Sequence, residues 1–256
     1  MDRQIEQSPQ LYARIGGLLY LFIIVAGGFA EGFVRSRLIV RGDAAATANH
    51  VLAFQSLWRT AFAGELTLYV CAVSLVLILY VLLRPVNGAI ALLAVFFNLV
   101  SVSIEAINSL AHFAPLLILQ SADYRKVFDT HQLQAFALLS LELHQYGFGL
   151  SLMMFSFVLL FNGYLIFKSH YFPRTLGILV IIAGLCYLTN SYALFLAPAL
   201  VAKLFPAILV PSFIGELSLC LWLLVMGVNV PKWEEQNRLA CLPSQCGSGR
   251  LHSPLP

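Results

Sequence analysis

Seven polar side chains lie within or beside long apolar runs of the 256-residue sequence, where ionisable groups are uncommon. Four are glutamates, two are asparagines and one is a histidine: Glu31, Glu65, Glu105, Glu216, Asn108, Asn190 and His144. A charged side chain costs at least about 2.5 kcal/mol at the centre of a membrane-spanning helix, so such residues are candidates for function. Successive runs cross in opposite directions and the seven residues fall at alternating ends. We therefore expect them in one shared pocket near one face of the membrane.

Such a pocket would fit two kinds of chemistry. Glu105, Asn108 and His112 follow i, i+3, i+7 spacing and share one face of a helix. Carboxylates and imidazoles bind Zn, Mn or Fe, and the predicted ligands in that case are His144, Glu65 and Glu216. The same groups could instead relay a proton or another cation, with one carboxyl kept protonated by its neighbours.

Several of these residues also fit purely local roles. Glu31 and Arg35 are four residues apart at a helix end, which is typical of an ion pair at the membrane surface. Asn108 and Asn190 are residue types that commonly join neighbouring helices by hydrogen bonds. These structural alternatives predict separate local contacts in place of one pocket.

The remaining titratable residues divide in the same way. Glu65 and Glu216 could each bond to a hydroxyl or backbone group of a packed helix. His112, His131 and Glu142 lie near the predicted membrane edge, where we expect them to be solvated. The sequence contains no nucleophile signature, Gly-rich phosphate loop or H-E-x-x-H motif.

Composition defines the elements that must position these residues. The chain is 60% hydrophobic and 11% charged, whereas soluble domains carry about 25% charged residues. Apolar runs of about 20 residues recur, each long enough to cross a bilayer. They must be helical, because lipid cannot form hydrogen bonds with backbone N–H and C=O groups. The predicted spans are 15–34, 60–83, 88–110, 146–167, 176–196 and 207–228. The sequence thus predicts an all-α, polytopic transmembrane helix bundle.

We expect residues 1–235 to form a single transmembrane domain, and 236–256, rich in Pro, Ser, Gly and Cys, to be a disordered tail. Six spans place both termini on one side, together with the short basic connections at Arg84 to Asn87 and Lys168 to Arg174. The positive-inside rule then predicts cytoplasmic termini in the cell membrane, and the polar pocket near the non-cytoplasmic leaflet. The 15 Lys and Arg residues form no basic face, which argues against nucleic-acid binding.

A short motif occurs twice. Phe62-Ala-Gly-Glu65-Leu-Thr-Leu68 near the start of the second span recurs as Phe213-Ile-Gly-Glu216-Leu-Ser-Leu219 in the sixth. The repetition favours a duplicated two-helix unit, spans one and two against five and six, as in transporters built from repeats. Small residues beside a polar one are also ordinary helix-packing chemistry, so both interpretations stay open.

Four stretches resemble the bacterial multi-pass membrane proteins catalogued as domain of unknown function 4386: Arg14 to Glu31, His144 to Gly149, Asn190 to Pro198 and Phe205 to Trp233. The resemblance covers roughly residues 11 to 235 and leaves out the tail after Glu235. It implies a prokaryotic cytoplasmic-membrane protein, and it carries over no catalytic residues.

These observations leave three hypotheses for function. The first is ion- or proton-linked transport, or binding of a small ligand, at the polar pocket. The second is a metal-dependent intramembrane enzyme that acts on a lipid-like substrate, with a glutamate as general base. The third is an accessory or sensor subunit whose buried polar residues only orient helices. The lipid bilayer is a partner in all three.

Overall fold

The computed structural model describes residues 8–204 and 206–241, and within these ranges all regular secondary structure is helical. In chain order the main helices are α1 (Pro9–Gly27), α2 (Ala44–Ala53), α3 (Gln55–Leu83), α4 (Gly88–Gln120), α5 (Thr130–Lys168), α6 (Arg174–Leu196), α7 (Leu209–Val225) and α8 (Val230–Cys241). A π-helical segment (Gly28–Arg35) and one further turn (Ser36–Leu38) prolong α1, and short turns stand at Tyr124–Val127 and Pro198–Leu204.

Within residues 8–204 and 206–241, five helices are long and apolar enough to cross a membrane: α1 with its prolongation to Leu38, α3, α4, α5 and α6. The helices α7 and α8 are bent by 101° at the break between them, and together they make a sixth span if they are counted as one. The prediction of an all-α, multi-pass membrane protein is therefore confirmed.

The long helices form a closed ring. Each of α3, α4, α5, α6 and α7 packs on the long helix before it, and α7 packs back on α1. Hydrogen bonds hold the ring closed at the end of the bundle where both chain termini lie, and there Gln10 Nε2 donates to the Met226 carbonyl at 2.9 Å. The amide of Val228 donates in turn to Gln10 Oε1 at 2.9 Å, so the first and last spans end side by side.

Close contact between α5 and α6 depends on glycine. A Cβ at Gly177 would lie 2.6 Å from the backbone nitrogen of Phe167, and a Cβ at Gly163 would lie 2.9 Å from the nitrogen of Ile181. Distances this short leave no space for a side chain, and they let the two backbones approach as small residues do in membrane helix pairs. Elsewhere in the ring, a Cβ at Gly17 of α1 would lie 2.5 Å from the backbone nitrogen of Leu224 in α7.

At the end of the bundle away from the termini, helices extend beyond the predicted spans. The helix α4 continues through Pro115 to Gln120, and α5 begins at Thr130 behind an Asp129 capping box. Its 39 residues make α5 about 58 Å long, nearly twice the hydrocarbon thickness of about 30 Å. Apolar runs define only the part of a helix that meets lipid, so the polar start of α5 was outside its predicted span.

The helix α2 packs on this extension and covers it. Asp43 caps α2 by accepting from the amide of Ala46 at 2.8 Å. Ala48 of α2 is buried against Leu119 of α4 and Leu133 of α5. The bundle therefore has a packed cap at the end where the predicted polar residues lie.

The opposite end is closed by α8. Trp233 is fully buried, and its Nε1 donates to the Leu82 carbonyl of α3 at 3.0 Å. Tyr171 donates to the same carbonyl at 2.7 Å. The prediction of disorder from residue 236 was wrong for 236–241, which belong to α8, and 242–256 lie outside the described residues.

The two copies of the repeated motif have different surroundings. A Cβ at Gly64 would meet nothing within 4 Å, whereas a Cβ at Gly215 would lie 2.5 Å from the Leu179 carbonyl oxygen. Their neighbouring glutamates also bond to different residue types, as described below. Duplication of a two-helix unit stays a prediction.

We expect Gly177→Ala to lower the free energy of unfolding by about 1 to 3 kcal/mol, because the added methyl group must push the α5 and α6 backbones apart. The matched control is Gly64→Ala, a helix-interior glycine with open space around it, which should be neutral or slightly stabilising. Thermal unfolding of both purified variants in detergent measures the difference. Equal melting temperatures would contradict the close packing of α5 on α6.

Candidate functional site

Polar side chains from α1, α3, α4 and α5 meet beneath the cap. Distance along each helix gives their depth: Glu65 lies about 27 Å from the terminal-side end of α3, and His112 about 36 Å from that end of α4. His144 lies about 36 Å from the corresponding end of α5. Since the hydrocarbon core is about 30 Å thick, these residues lie near the membrane boundary opposite the termini.

Arg35 is at the centre of this group. Its side chain is 8% exposed, and it is held in the widened π-helical turn that prolongs α1. Nη2 forms an ion pair with Glu31 Oε1 at 2.5 Å, and Nη1 forms one with Glu65 Oε1 at 2.7 Å. One guanidinium thus joins its own helix to α3.

The same guanidinium reaches two histidines. Arg35 Nη1 lies 3.0 Å from His144 Nε2 and 3.2 Å from His112 Nδ1. A guanidinium can only donate, so a ring nitrogen bonded to it must be unprotonated. The two imidazole rings lie 28° from parallel, with their centroids 5.2 Å apart.

His112 Nδ1 has two competing partners. It lies 2.9 Å from Glu65 Oε2, an acceptor, as well as 3.2 Å from the Arg35 donor. When Nδ1 carries a proton it donates to Glu65, and when it does not it accepts from Arg35. The position of one proton therefore decides which bond His112 makes.

Packing fixes His112 in this place. The side chain is fully buried, and Trp58 Nε1 of α3 donates to its carbonyl at 3.2 Å. The Trp58 ring also meets the imidazole edge to face, with centroids 4.5 Å apart. His112 Nε2 and Arg35 Nε are buried without hydrogen-bond partners among the described residues.

Asn108 connects α4 to His144 of α5. Its Nδ2 donates to the His144 carbonyl at 2.9 Å and lies 2.9 Å from His144 Nδ1. Gly147 makes the contact possible, because a Cβ there would overlap the Asn108 amide. Asn108 Nδ2 also lies 3.4 Å from Glu105 Oε2, and Glu105 makes no ion pair within the described residues. We call Glu31, Arg35, Glu65, Glu105, Asn108, His112 and His144 the Arg35 network.

The structure brings five of the seven predicted site residues into this network, and it places Glu216 elsewhere. Glu216 accepts hydrogen bonds from the hydroxyls of Tyr20 and Tyr187, at 3.0 and 2.5 Å. Tyr20, which bonds to Glu216, and Arg35, the centre of the network, are separated by about 22 Å along the first helix and its prolongation. The expectation of one shared pocket was therefore wrong for Glu216. Asn190 is half-buried and has no hydrogen bond to the network, and its Oδ1 is an unpartnered buried atom.

For two members of the network, Arg35 and His112, the sequence analysis predicted a position at the membrane surface. Arg35 does pair with Glu31, but it is buried, and His112 is buried where solvation was expected. His131 and Glu142 are exposed, as predicted. The available signal for His112 was its i+7 spacing from Glu105, which placed it on the inward face of α4.

The network differs from a typical metal centre. Within the part of the chain that the structure describes, no three His, Cys, Asp or Glu side chains converge as metal ligands would. Arg35 Nη1 lies between Glu65 and His144 and bonds to both, so a cation is already present beside these two predicted ligands. Of the predicted metal ligands Glu65, His144 and Glu216, the third lies apart.

Comparison with known proteins gives a family and one distant relative. A family model described as Domain of unknown function (DUF4386) matches residues 15–227, a range that contains the whole Arg35 network. An uncharacterized protein of Archaeoglobus fulgidus is 27% identical over 164 residues, which cover 64% of this chain and 82% of that protein. No solved structure matches the chain.

We expect Arg35→Gln to destabilise the protein by about 3 to 5 kcal/mol, because it leaves the buried Glu65 without its cation. Arg37→Gln is the matched control, since Arg37 is exposed and its guanidinium stacks on Phe33 at 4.1 Å. That change should cost about 1 kcal/mol or less. Thermal unfolding in detergent measures both variants.

The double variant Arg35→Gln/Glu65→Gln should recover part of the stability that Arg35→Gln loses, because it removes the unpaired carboxylate as well. The quantity to measure is the coupling free energy from a double-mutant cycle. Strictly additive losses would show that the two side chains do not interact.

Proposed function

The chain belongs to the family described as Domain of unknown function (DUF4386), and we propose that it is a proton-linked membrane transporter with its proton-binding site in the Arg35 network. The observation that carries the proposal is the position of His112 Nδ1 between the Glu65 carboxylate and the Arg35 guanidinium. A proton on this nitrogen changes which helix His112 bonds to, α3 through Glu65 or α1 through Arg35. Proton binding is thereby linked to contacts between spans.

The charges of the network support the same proposal. One guanidinium stands among three carboxyl groups, those of Glu31, Glu65 and Glu105, of which the first two contact it. If all three were ionised, the network would carry excess negative charge in a region where desolvation makes that costly. Protons on a carboxyl or an imidazole, or a bound cation, would balance it.

We infer that protons enter the network from water at the exposed Glu31 side chain. The Glu31 side chain is 47% exposed, the Glu65 side chain is 7% exposed, and His112 is fully buried. Arg35 contacts all three, so accessible and buried proton acceptors share one fixed cation. The unpartnered His112 Nε2 and Arg35 Nε mark where a water molecule or a polar group of a substrate would bond.

The orientation of the protein is part of the proposal. Arg84, Lys168 and Arg174 lie at the terminal-side ends of α3, α5 and α6, which favours a cytoplasmic location for that side in the cell membrane. The Arg35 network would then lie near the non-cytoplasmic leaflet.

The test is proton-driven charge movement in proteoliposomes. A pH jump on a solid-supported membrane should give a transient current in the wild-type protein, and His112→Gln should reduce it about tenfold or more, because glutamine keeps the bulk but cannot take up the proton. His131→Gln, an exposed histidine on the polar start of α5, is the matched control and should keep the wild-type current.

Two results would overturn the proposal. An unchanged current in His112→Gln would remove the network from proton binding, and no current in the wild-type protein would favour an accessory or sensor role. Metal analysis of the same preparation tests the enzyme hypothesis. Stoichiometric Zn, Mn or Fe that is lost on His144→Ala would favour a metal-dependent intramembrane enzyme in place of a transporter.

A further inference from the structure

Glu216 lies near the middle of the membrane, away from the Arg35 network. Its position on α7 is about 14 Å from the terminal-side end of that helix. Its partners give similar depths: Tyr20 is about 16 Å into α1 and Tyr187 about 20 Å into α6. Three helices thus place this carboxyl near half of the roughly 30 Å hydrocarbon thickness.

The carboxyl group faces the interior of the helix packing. Glu216 lies one turn from Ser212 and one turn from Cys220, both of which are fully buried. Gly215 beside it is in contact with the α6 backbone at Leu179. Glu216 is therefore on the packed face of α7, between α1 and α6.

Among the residues that the structure describes, no cation compensates Glu216. Its hydrogen-bond partners are Tyr20 from α1 and Tyr187 from α6, and it makes no ion pair within the described residues. The other titratable groups close to this site are Cys186 and Cys220, which are thiols. An ionised carboxylate without a basic partner is costly in the hydrocarbon region, so a bound proton is the simplest way to keep this residue inside the bundle.

We propose that Glu216 binds a proton and shares it with the hydroxyls of Tyr20 and Tyr187, as a second proton site separate from the Arg35 network. Each oxygen of the carboxyl group already has one hydroxyl partner. A protonated carboxyl can donate to one tyrosine oxygen and accept from the other, so it keeps both of its hydroxyl partners. A metal cation would need several more oxygen ligands than these three side chains supply.

This arrangement joins three helices at one carboxyl group. Tyr20, Glu216 and Tyr187 belong to α1, α7 and α6, and α7 packs directly on both of the other helices. Loss of the proton would leave a negative charge at the point where these helices meet. The inference stands without the Arg35 proposal, because the two sites share no residue.

Infrared spectroscopy tests the proton directly. Near neutral pH, the wild-type protein in nanodiscs should show the carbonyl stretch of a protonated carboxyl group, with the downward shift in D2O that marks an exchangeable proton. Glu216→Gln should lose this band. Glu142→Gln, which removes an exposed carboxyl group, is the matched control and should keep it.

Tyr187→Phe and Tyr20→Phe keep the test decisive if Glu216→Gln does not fold. Each removes one hydroxyl partner, so the band should move to higher frequency while the carboxyl group stays protonated. A spectrum without such a band in the wild-type protein, or a band that none of these three variants alters, would overturn the proposal. Neither result depends on proton currents from the Arg35 network.

Discussion

A positive charge buried among helices organises this end of the molecule. Arg35 cannot lose its proton at ordinary pH, and its side chain is almost fully enclosed, so its neighbours must supply acceptors. Glu31, Glu65 and the two histidines do so from α1, α3, α4 and α5. Trp58, Asn108 and Gly147 can then be understood as the residues that hold these acceptors at bonding distance.

Hydrophobic run lengths were sufficient to predict a multi-pass, all-helical protein and five of its long apolar helices, because lipid demands helical backbone wherever it contacts the chain. They were insufficient for the cap, where α5 continues in polar sequence that ordinary helix caps and packing support. The same limit explains Arg35. Its spacing from Glu31 was visible, but its burial depends on the π-helical turn and on acceptors from three other helices, which spacing within one segment does not reveal.

Glu65 and Glu216 occupy matching positions in a repeated motif, yet their environments differ. Glu65 has a guanidinium and an imidazole beside it, whereas Glu216 has two phenols. Sequence similarity around the two glutamates could not predict which residues the neighbouring helices would present to each of them. The two glutamates are far apart in depth, because Tyr20, the partner of Glu216, and Arg35, the partner of Glu65, are about 22 Å apart along α1 and its prolongation.

The closure of the ring by α1 and α7 has a consequence for biosynthesis. Spans made in succession can pair soon after they enter the bilayer, as α3 with α4 and α5 with α6 do. The first span, by contrast, finds its second neighbour only when the last one has been translated. Until then Gly17 has no α7 backbone to pack against, and Gln10 has no Met226 carbonyl to bond to. A nascent chain that stops before α7 leaves an open crescent in place of a bundle.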